Sequence, residues 1–152
     1  MIQDFSSSLP VLVLKNALKL DLPFKKYRNK NKDKKFLGID STSAPGNKTL
    51  QLAELCSKVY AFERDPKRFK VLSTRVQKAN VLGEIECQNL DFIENQAHIE
   101  VGDNEELSFI VCDPSCSGSG MNLHQTQNIG CTVGLATPKE EKDRVEKLSK
   151  FQ

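Results

Sequence analysis

Two residues with reactive side chains stand three positions apart: Asp113 and Cys116, in the run Cys112-Asp113-Pro114-Ser115-Cys116-Ser117-Gly118-Ser119-Gly120. A thiol is a nucleophile once deprotonated, and a carboxyl group beside it can exchange a proton with whatever the thiol attacks. A second polar set is Thr42-Ser43-Ala44-Pro45-Gly46-Asn47-Lys48, and single carboxylates follow at Glu63 and Asp91. The other candidates are poorer. Five cysteines (Cys56, Cys87, Cys112, Cys116, Cys131) fall at irregular spacings without a CxxC pair, and His98 and His124 are far apart. That pattern argues for free thiols in a reducing compartment and against a zinc site, so no metal is expected. Both histidines read as surface residues.

Each polar set follows an element that can position it. Phe36-Leu37-Gly38-Ile39-Asp40 is a short apolar run closed by a carboxylate, and small residues with a Pro-Gly then lead into a helix-favouring run from Leu50 to Cys56. This reads as a buried strand, a tight turn and a helix, the first half of a nucleotide-binding α/β unit. Gly46 lets the backbone approach a ligand closely, and the small side chains of Ser41 to Ala44 leave room for one. The three-glycine dinucleotide fingerprint is absent. A Walker loop needs Gly-Lys-Thr in succession, whereas Asn47 separates Gly46 from Lys48, which disfavours a phosphate-binding NTPase.

Lys58 to Glu63 is a second strand ending in an acid, seventeen residues beyond Gly46. A carboxylate there is placed to accept from both hydroxyls of a ribose. Asp65-Pro66 then caps a helix carrying Arg68, Phe69, Val71, Leu72 and Val76. A third strand is expected over Glu84 to Cys87, ahead of Asn89-Leu90-Asp91-Phe92. Leu107 to Cys112 reads as a fully buried fourth strand emptying into the Asp113 loop. Loops at the carboxyl ends of parallel strands share one crevice, so the Gly46 and Asp113 loops should line one site. Upstream, Ser8 is a candidate cap for a helix running to Leu20 with Leu9, Val11, Leu12, Leu14 and Leu18 as its apolar face.

The chain has 152 residues and a formal charge of only +2, unevenly spread. Lys25 to Lys35 concentrates seven basic residues in eleven without apolar period, a solvated loop, a phosphate-backbone contact or a nuclear address. The acids Glu100, Asp103, Glu105 and Glu106 read as a surface loop. No apolar run approaches a membrane span.

The string Ala44-Pro45-Gly46-Asn47-Lys48-Thr49 behind Asp40 resembles the cofactor loop of the Sun-domain (Nop/Sun) RNA 5-methylcytosine methyltransferases. Asp113-Pro114-Ser115-Cys116-Ser117-Gly118 is similar to that family's Pro-Cys motif, in the form most like eukaryotic members acting on large-subunit ribosomal RNA. The resemblance implies a Rossmann-like α/β fold of the S-adenosylmethionine-dependent class, a parallel sheet with helices on both faces. It implies S-adenosylmethionine as cofactor, held by Thr42, Ser43, Ala44, Pro45, Gly46, Asn47 and Lys48, with Glu63 on the ribose, Asp91 on adenine, and Arg68 and Asp113 as further contacts. Asp113 and Cys116 would serve the target cytosine. The partner would be ribosomal RNA and the location nucleolar. For Arg68 an ordinary exposed helix arginine is the competing reading; for Cys116, an inert thiol.

The sequence departs from the family in two ways. Residues 24–35 look like an insertion. The later Thr-Cys motif, which in the family supplies the attacking thiol, does not occur; Cys131-Thr132 has the reverse order. Residues 122–137 read as an irregular loop and Pro138 to Gln152 as a charged helix. The expectation is one partial catalytic domain with about four strands ordered 3-2-1-4, the fourth at an exposed edge. A catalytically silent RNA-binding scaffold of the same shape is the alternative.

Overall fold

A computed structural model describes residues 5–18, 35–81, 83–94, 99–116 and 138–151. The basic run before Lys35, His98, His124, Cys131 and the expected loop over 122–137 lie outside these. The chain divides into two compact units, Met1–Asp113 and Pro114–Gln152.

Among the described residues, the first unit is built on four parallel strands: β1 (Lys35–Asp40), β2 (Lys58–Phe62), β3 (Ile85–Gln88) and β4 (Glu105–Val111), in the order β3-β2-β1-β4. Order and direction are those expected from the sequence. Among the described residues the helices α1 (Phe5–Ala17), α2 (Asn47–Leu52) and α3 (Pro66–Ala79) connect to them. Alternation along the strands sorts the core into two layers. Val59, Ala61, Ile85 and Phe109 pack with Val11, Leu52, Leu72 and Val76 from the helices. Leu37, Ile39, Tyr60 and Phe62 face the other way, under Leu90, Phe92 and Ile99. Among the described residues of this unit, then, the helices stand on one face and irregular chain covers the second, where helices on both faces were expected. The Tyr60 hydroxyl donates to the Glu100 carbonyl at 2.7 Å and pins that covering.

Gly38 explains how β1 and β4 come close. A side chain there would meet the Phe109 ring at 2.3 Å, so only glycine admits the ring, and the ladder shifts register at Leu37/Gly38. β4 itself is not the fully buried strand its composition suggests. Among the described residues it lies at the sheet edge, only Phe109 of its residues is buried, and Leu107 and Ile110 are exposed. Apolar content cannot distinguish a central strand from an edge strand when the next neighbour is unknown.

Two helices also begin elsewhere than expected. α1 starts at Phe5, before Ser8, whose hydroxyl donates to the Phe5 carbonyl at 2.7 Å inside the first turn. Only Val11 of its apolar residues is buried, with Leu14 and Leu18 packed against the core; Leu9 and Leu12 are exposed. α2 starts at Asn47 and stops at Leu52, where Glu54 and Leu55 donate three residues back and tighten the turn. α3 keeps its expected cap: Asp65 accepts from the Lys67 and Arg68 amides at 2.8 and 2.9 Å, with Pro66 at the first helical position.

The second unit contains α4 (Pro138–Phe151), a charged helix with an exposed Lys150–Glu146 pair at 3.0 Å.

Candidate active site

The loops after β1 and β4 meet at the carboxyl rim of the sheet. The Ser41 amide donates to the Val111 carbonyl at 3.0 Å, and the Ser41 hydroxyl lies 2.8 Å from the Cys112 sulfur. The Thr42 hydroxyl accepts the Asp113 amide at 2.8 Å. Lys48 Nζ sits 2.7 Å from Asp113 Oδ2 and donates to the Ser7 hydroxyl of α1 at 3.0 Å. Thr42, Lys48 and Asp113, distant in sequence, thus share one corner. The two turns open side by side.

Beneath that corner lies a residue the sequence reading left without a role. Asp40, at the end of β1, is 2% exposed. Its Oδ2 accepts from Thr49 Oγ1 at 2.7 Å, and its Oδ1 accepts the Thr42 amide at 3.3 Å. Burial pushes its carboxyl up to about 6, against the hydrogen bonds from Thr49 and Thr42; Asp113 pushes the same way and Lys48 opposes. The Ser43 hydroxyl donates to the Asp40 carbonyl at 2.8 Å. Asp40 therefore ties both ends of the loop 41–49 to the strand and, through Thr42, reaches the Asp113 amide. A strand-ending carboxylate nine positions before Thr49 was a visible signal for this pair.

Ser43 and Ala44 are buried and their side chains serve the fold, so anything they offer a ligand comes from the backbone. Pro45 is exposed, and the Ala44–Pro45 peptide is cis. Gly46 adopts φ +102°, where side chains are strained, and a Cβ there would press on Leu72 at 3.1 Å. Helix α3 splints this segment. Arg68 Nη2 donates to the Ala44 carbonyl at 2.7 Å, and Arg75, seven residues on, donates to the Asn47 side chain. Arg75 was missed, although its spacing from Arg68 puts both on one flank of the helix.

The other side of the rim carries Glu63 and Asp91. Glu63 follows β2 and is 5% exposed; it accepts the Asp65 amide at 2.9 Å and faces Arg68 at 3.6 Å. Among the described residues these are its side-chain partners, so a carboxylate with about four acceptor positions keeps capacity for a diol. Asn89 donates to the Glu63 carbonyl at 2.6 Å and holds the loop after β3 alongside. Asp91 accepts the Ile93 amide at 3.0 Å and pairs with the exposed Arg64 at 3.2 Å. Arg64 is a second cation that sequence reasoning passed over. The acids at the strand tips fit a nucleoside-bearing ligand, whereas Gly46 is buried, its amide donating to the Ser43 carbonyl at 2.7 Å and its carbonyl accepting from the Leu50 amide at 3.0 Å.

Cys116 belongs to the second unit, three residues beyond Asp113, and its thiol is exposed. Cys56 and Cys87 are different: burial pushes their thiols up to about 12 and about 11, which leaves them unreactive. Among the described residues, no group of three or more His, Cys, Asp or Glu side chains could hold a metal ion, and no helix is long and apolar enough to cross a membrane.

A family model described as "16S rRNA methyltransferase RsmB/F" matches residues 28–143, a span that includes both rim loops. The chain belongs to this family. A mouse 28S rRNA (cytosine-C(5))-methyltransferase is 36% identical over 119 residues, 75% of this chain and 23% of that protein. The 25S rRNA (cytosine-C(5))-methyltransferase rcm1 of Schizosaccharomyces pombe is 34% identical over 116 residues, 75% of this chain and 24% of that protein. The chain thus spans about a quarter of these relatives' length. The crystal structure of PH0851 superposes over 99% of this chain and 28% of its own, with a TM-score of 0.59 at 22% identity, a likeness of fold. The α/β methyltransferase architecture of this RsmB/F family member agrees with the expectation from its two motifs.

Proposed function

We propose that this chain carries the cofactor-binding and base-facing part of an S-adenosylmethionine-dependent methyltransferase acting on cytosine C5 in large-subunit ribosomal RNA, in the nucleolus. The observation that carries the reading is the convergence of Thr42 and Lys48 on Asp113. Family membership supports the reaction class. S-adenosylmethionine supplies an electrophilic methyl group when bound.

The residues divide the work. The backbone of Thr42 to Lys48 takes the amino-acid end, Glu63 the ribose hydroxyls and Asp91 the adenine. Asp113, oriented by Lys48 and held through its amide by Thr42, faces N3 of a cytosine lifted from its stack. Cytosine C5 is a weak nucleophile, so a thiolate first adds to C6. That forms an S–C6 bond and an enamine that takes up a proton at N3 from solvent, and the resulting N3–H donates to the Asp113 carboxylate. After methylation, loss of the C5 proton to a base drives the S–C6 electron pair back to sulfur. In the family this chain resembles, the attacking thiol comes from a Thr-Cys motif, and the cysteine matching Cys116 assists release. Cys116 is assigned that second role.

A second reading, a silent RNA-binding scaffold of the same shape, predicts RNA binding without methyl transfer. Transfer of radiolabelled methyl to ribosomal RNA separates the two. Incorporation by the intact chain, with Cys116→Ser slowing turnover and leaving protein trapped on the RNA as a covalent adduct, is the expected result; none from the intact chain would support the scaffold.

A further inference from the structure

Helix α3 carries five basic residues, Lys67, Arg68, Lys70, Arg75 and Lys78, and no acid within its 14 residues. At 100° per residue its positions sort into three sectors. Leu72 and Val76 are fully buried and mark the inward side. Arg68 and Arg75 form one flank, where they hold the Ala44 carbonyl and the Asn47 side chain. Lys67, Lys70, Thr74 and Lys78 share the outward side, directly opposite Leu72 and Val76, and all four are exposed. None of these three lysines has a salt bridge among the described residues. The cap Asp65 binds the Lys67 and Arg68 amides.

The ridge has a direction. α3 begins at Pro66, four residues after β2 ends at Phe62, so Lys67 stands at the rim that carries Glu63, and Lys78 lies eleven residues away. At 1.5 Å per residue that is a line of roughly 16 Å, long enough to follow several phosphates of one strand.

We infer that the outward face of α3 binds the RNA sugar-phosphate backbone and leads the strand to the rim between Glu63 and Asp113. The inference rests on the RNA-directed function proposed above. Charge chooses the occupant. Lysines in a row with no interleaved acid match evenly spaced phosphates. The apolar anchors that a protein interface requires are missing, since Val71 is the one large apolar side chain exposed on this face among the described residues. Aromatic side chains that would stack bases are also missing from it, so the contact is with backbone and indifferent to sequence.

Titration of a fluorescein-labelled unstructured RNA into the chain at several salt concentrations, read by anisotropy, tests this. The combined variant Lys67→Gln, Lys70→Gln, Lys78→Gln should reduce the slope of log K against log salt by about 2, at roughly 0.7 per phosphate contact. Affinity at low salt should fall about tenfold. The control variant Lys139→Gln, Lys142→Gln, Lys147→Gln, on α4, should change neither. Equal loss in both variants, an unchanged slope, or no RNA binding by the intact chain would overturn the inference. So would polyglutamate binding the ridge as strongly as RNA, which would make it a site for acidic protein. Calorimetry with S-adenosylmethionine is run on the same samples. Ridge-dependent RNA binding without cofactor binding would sink the methyltransferase reading and leave the ridge standing.

Discussion

The two halves of the rim are held by different physics. On the β1–β4 side, Asp40, Thr49, Ser43 and Thr42 form a buried network in which each hydroxyl or carboxylate is matched, and Asp113 is attached to it through its backbone. On the β2–β3 side, Glu63 and Asp91 face arginines that are 50% and 56% exposed. Buried polar networks are costly to break one partner at a time, whereas exposed ion pairs contribute about 1 kcal/mol or less. The first half is therefore pre-set before any ligand arrives. The second can exchange Arg64 and Arg68 for a ligand's donors at little expense.

Removing the ionisable group from the buried half should have the largest effect. In the unfolded chain Asp40 ionises near 3.8 and in the fold at about 6. The folded protein thus holds this proton more tightly. The stability that follows is fully present below about pH 4 and is lost as pH rises through about 6. At 1.36 kcal/mol per pH unit the loss is about 3 kcal/mol. Urea unfolding of the wild type and Asp40→Asn, compared at about pH 4 and about pH 8, should show the wild type losing about that much more than the variant.

Next in size is Thr49→Val. It leaves the shape of a fully buried side chain intact but takes the donor from Asp40. An unsatisfied buried acceptor costs about 2 kcal/mol, read as a lower urea midpoint with unchanged slope. An effect below about 0.5 kcal/mol would mean that the network is not the buried unit described here.

The smallest change in stability belongs to the exposed half. Arg64→Ala and Asp91→Asn should each move unfolding free energy by less than about 1 kcal/mol. Asp91→Asn should nevertheless weaken S-adenosylmethionine binding, measured by calorimetry, because the carboxylate is assigned to the ligand. A stability loss as large as that of Thr49→Val would erase the contrast between the halves.

The same contrast governs what could be read from the amino-acid order. Strand identity and parallel direction were legible because apolar runs ending in Asp40, Glu63 and the Asp113 loop alternate with helix signals, and the order 3-2-1-4 was implied by the family resemblance. The cap at Asp65-Pro66 was legible because capping is local chemistry. Glu63, Asp91 and Asp113 were found as acids following strands. The pairing of Asp40 with Thr49 had a signal in the strand-ending carboxylate, but the pairing of Arg75 with Asn47 was harder to see, since it depends on how a helix turns over the sheet. The exposed edge at the fourth strand followed from the resemblance, whereas the composition of Leu107 to Cys112 by itself suggested a fully buried strand, because local composition does not reveal which strand comes next. α1 began early because Ser8 can bond inside a first turn as well as cap one.

The central claim is that the tie between the Gly46 loop and the Asp113 loop builds the cofactor site, and Thr42→Val tests it most directly. The substitution removes the acceptor of the Asp113 amide and little else. Calorimetric titration with S-adenosylmethionine should give one saturable site in the wild type, about tenfold weaker in Thr42→Val, which corresponds to about 1.4 kcal/mol. Equal affinity in the two proteins, or no binding heat in the wild type, would contradict the account.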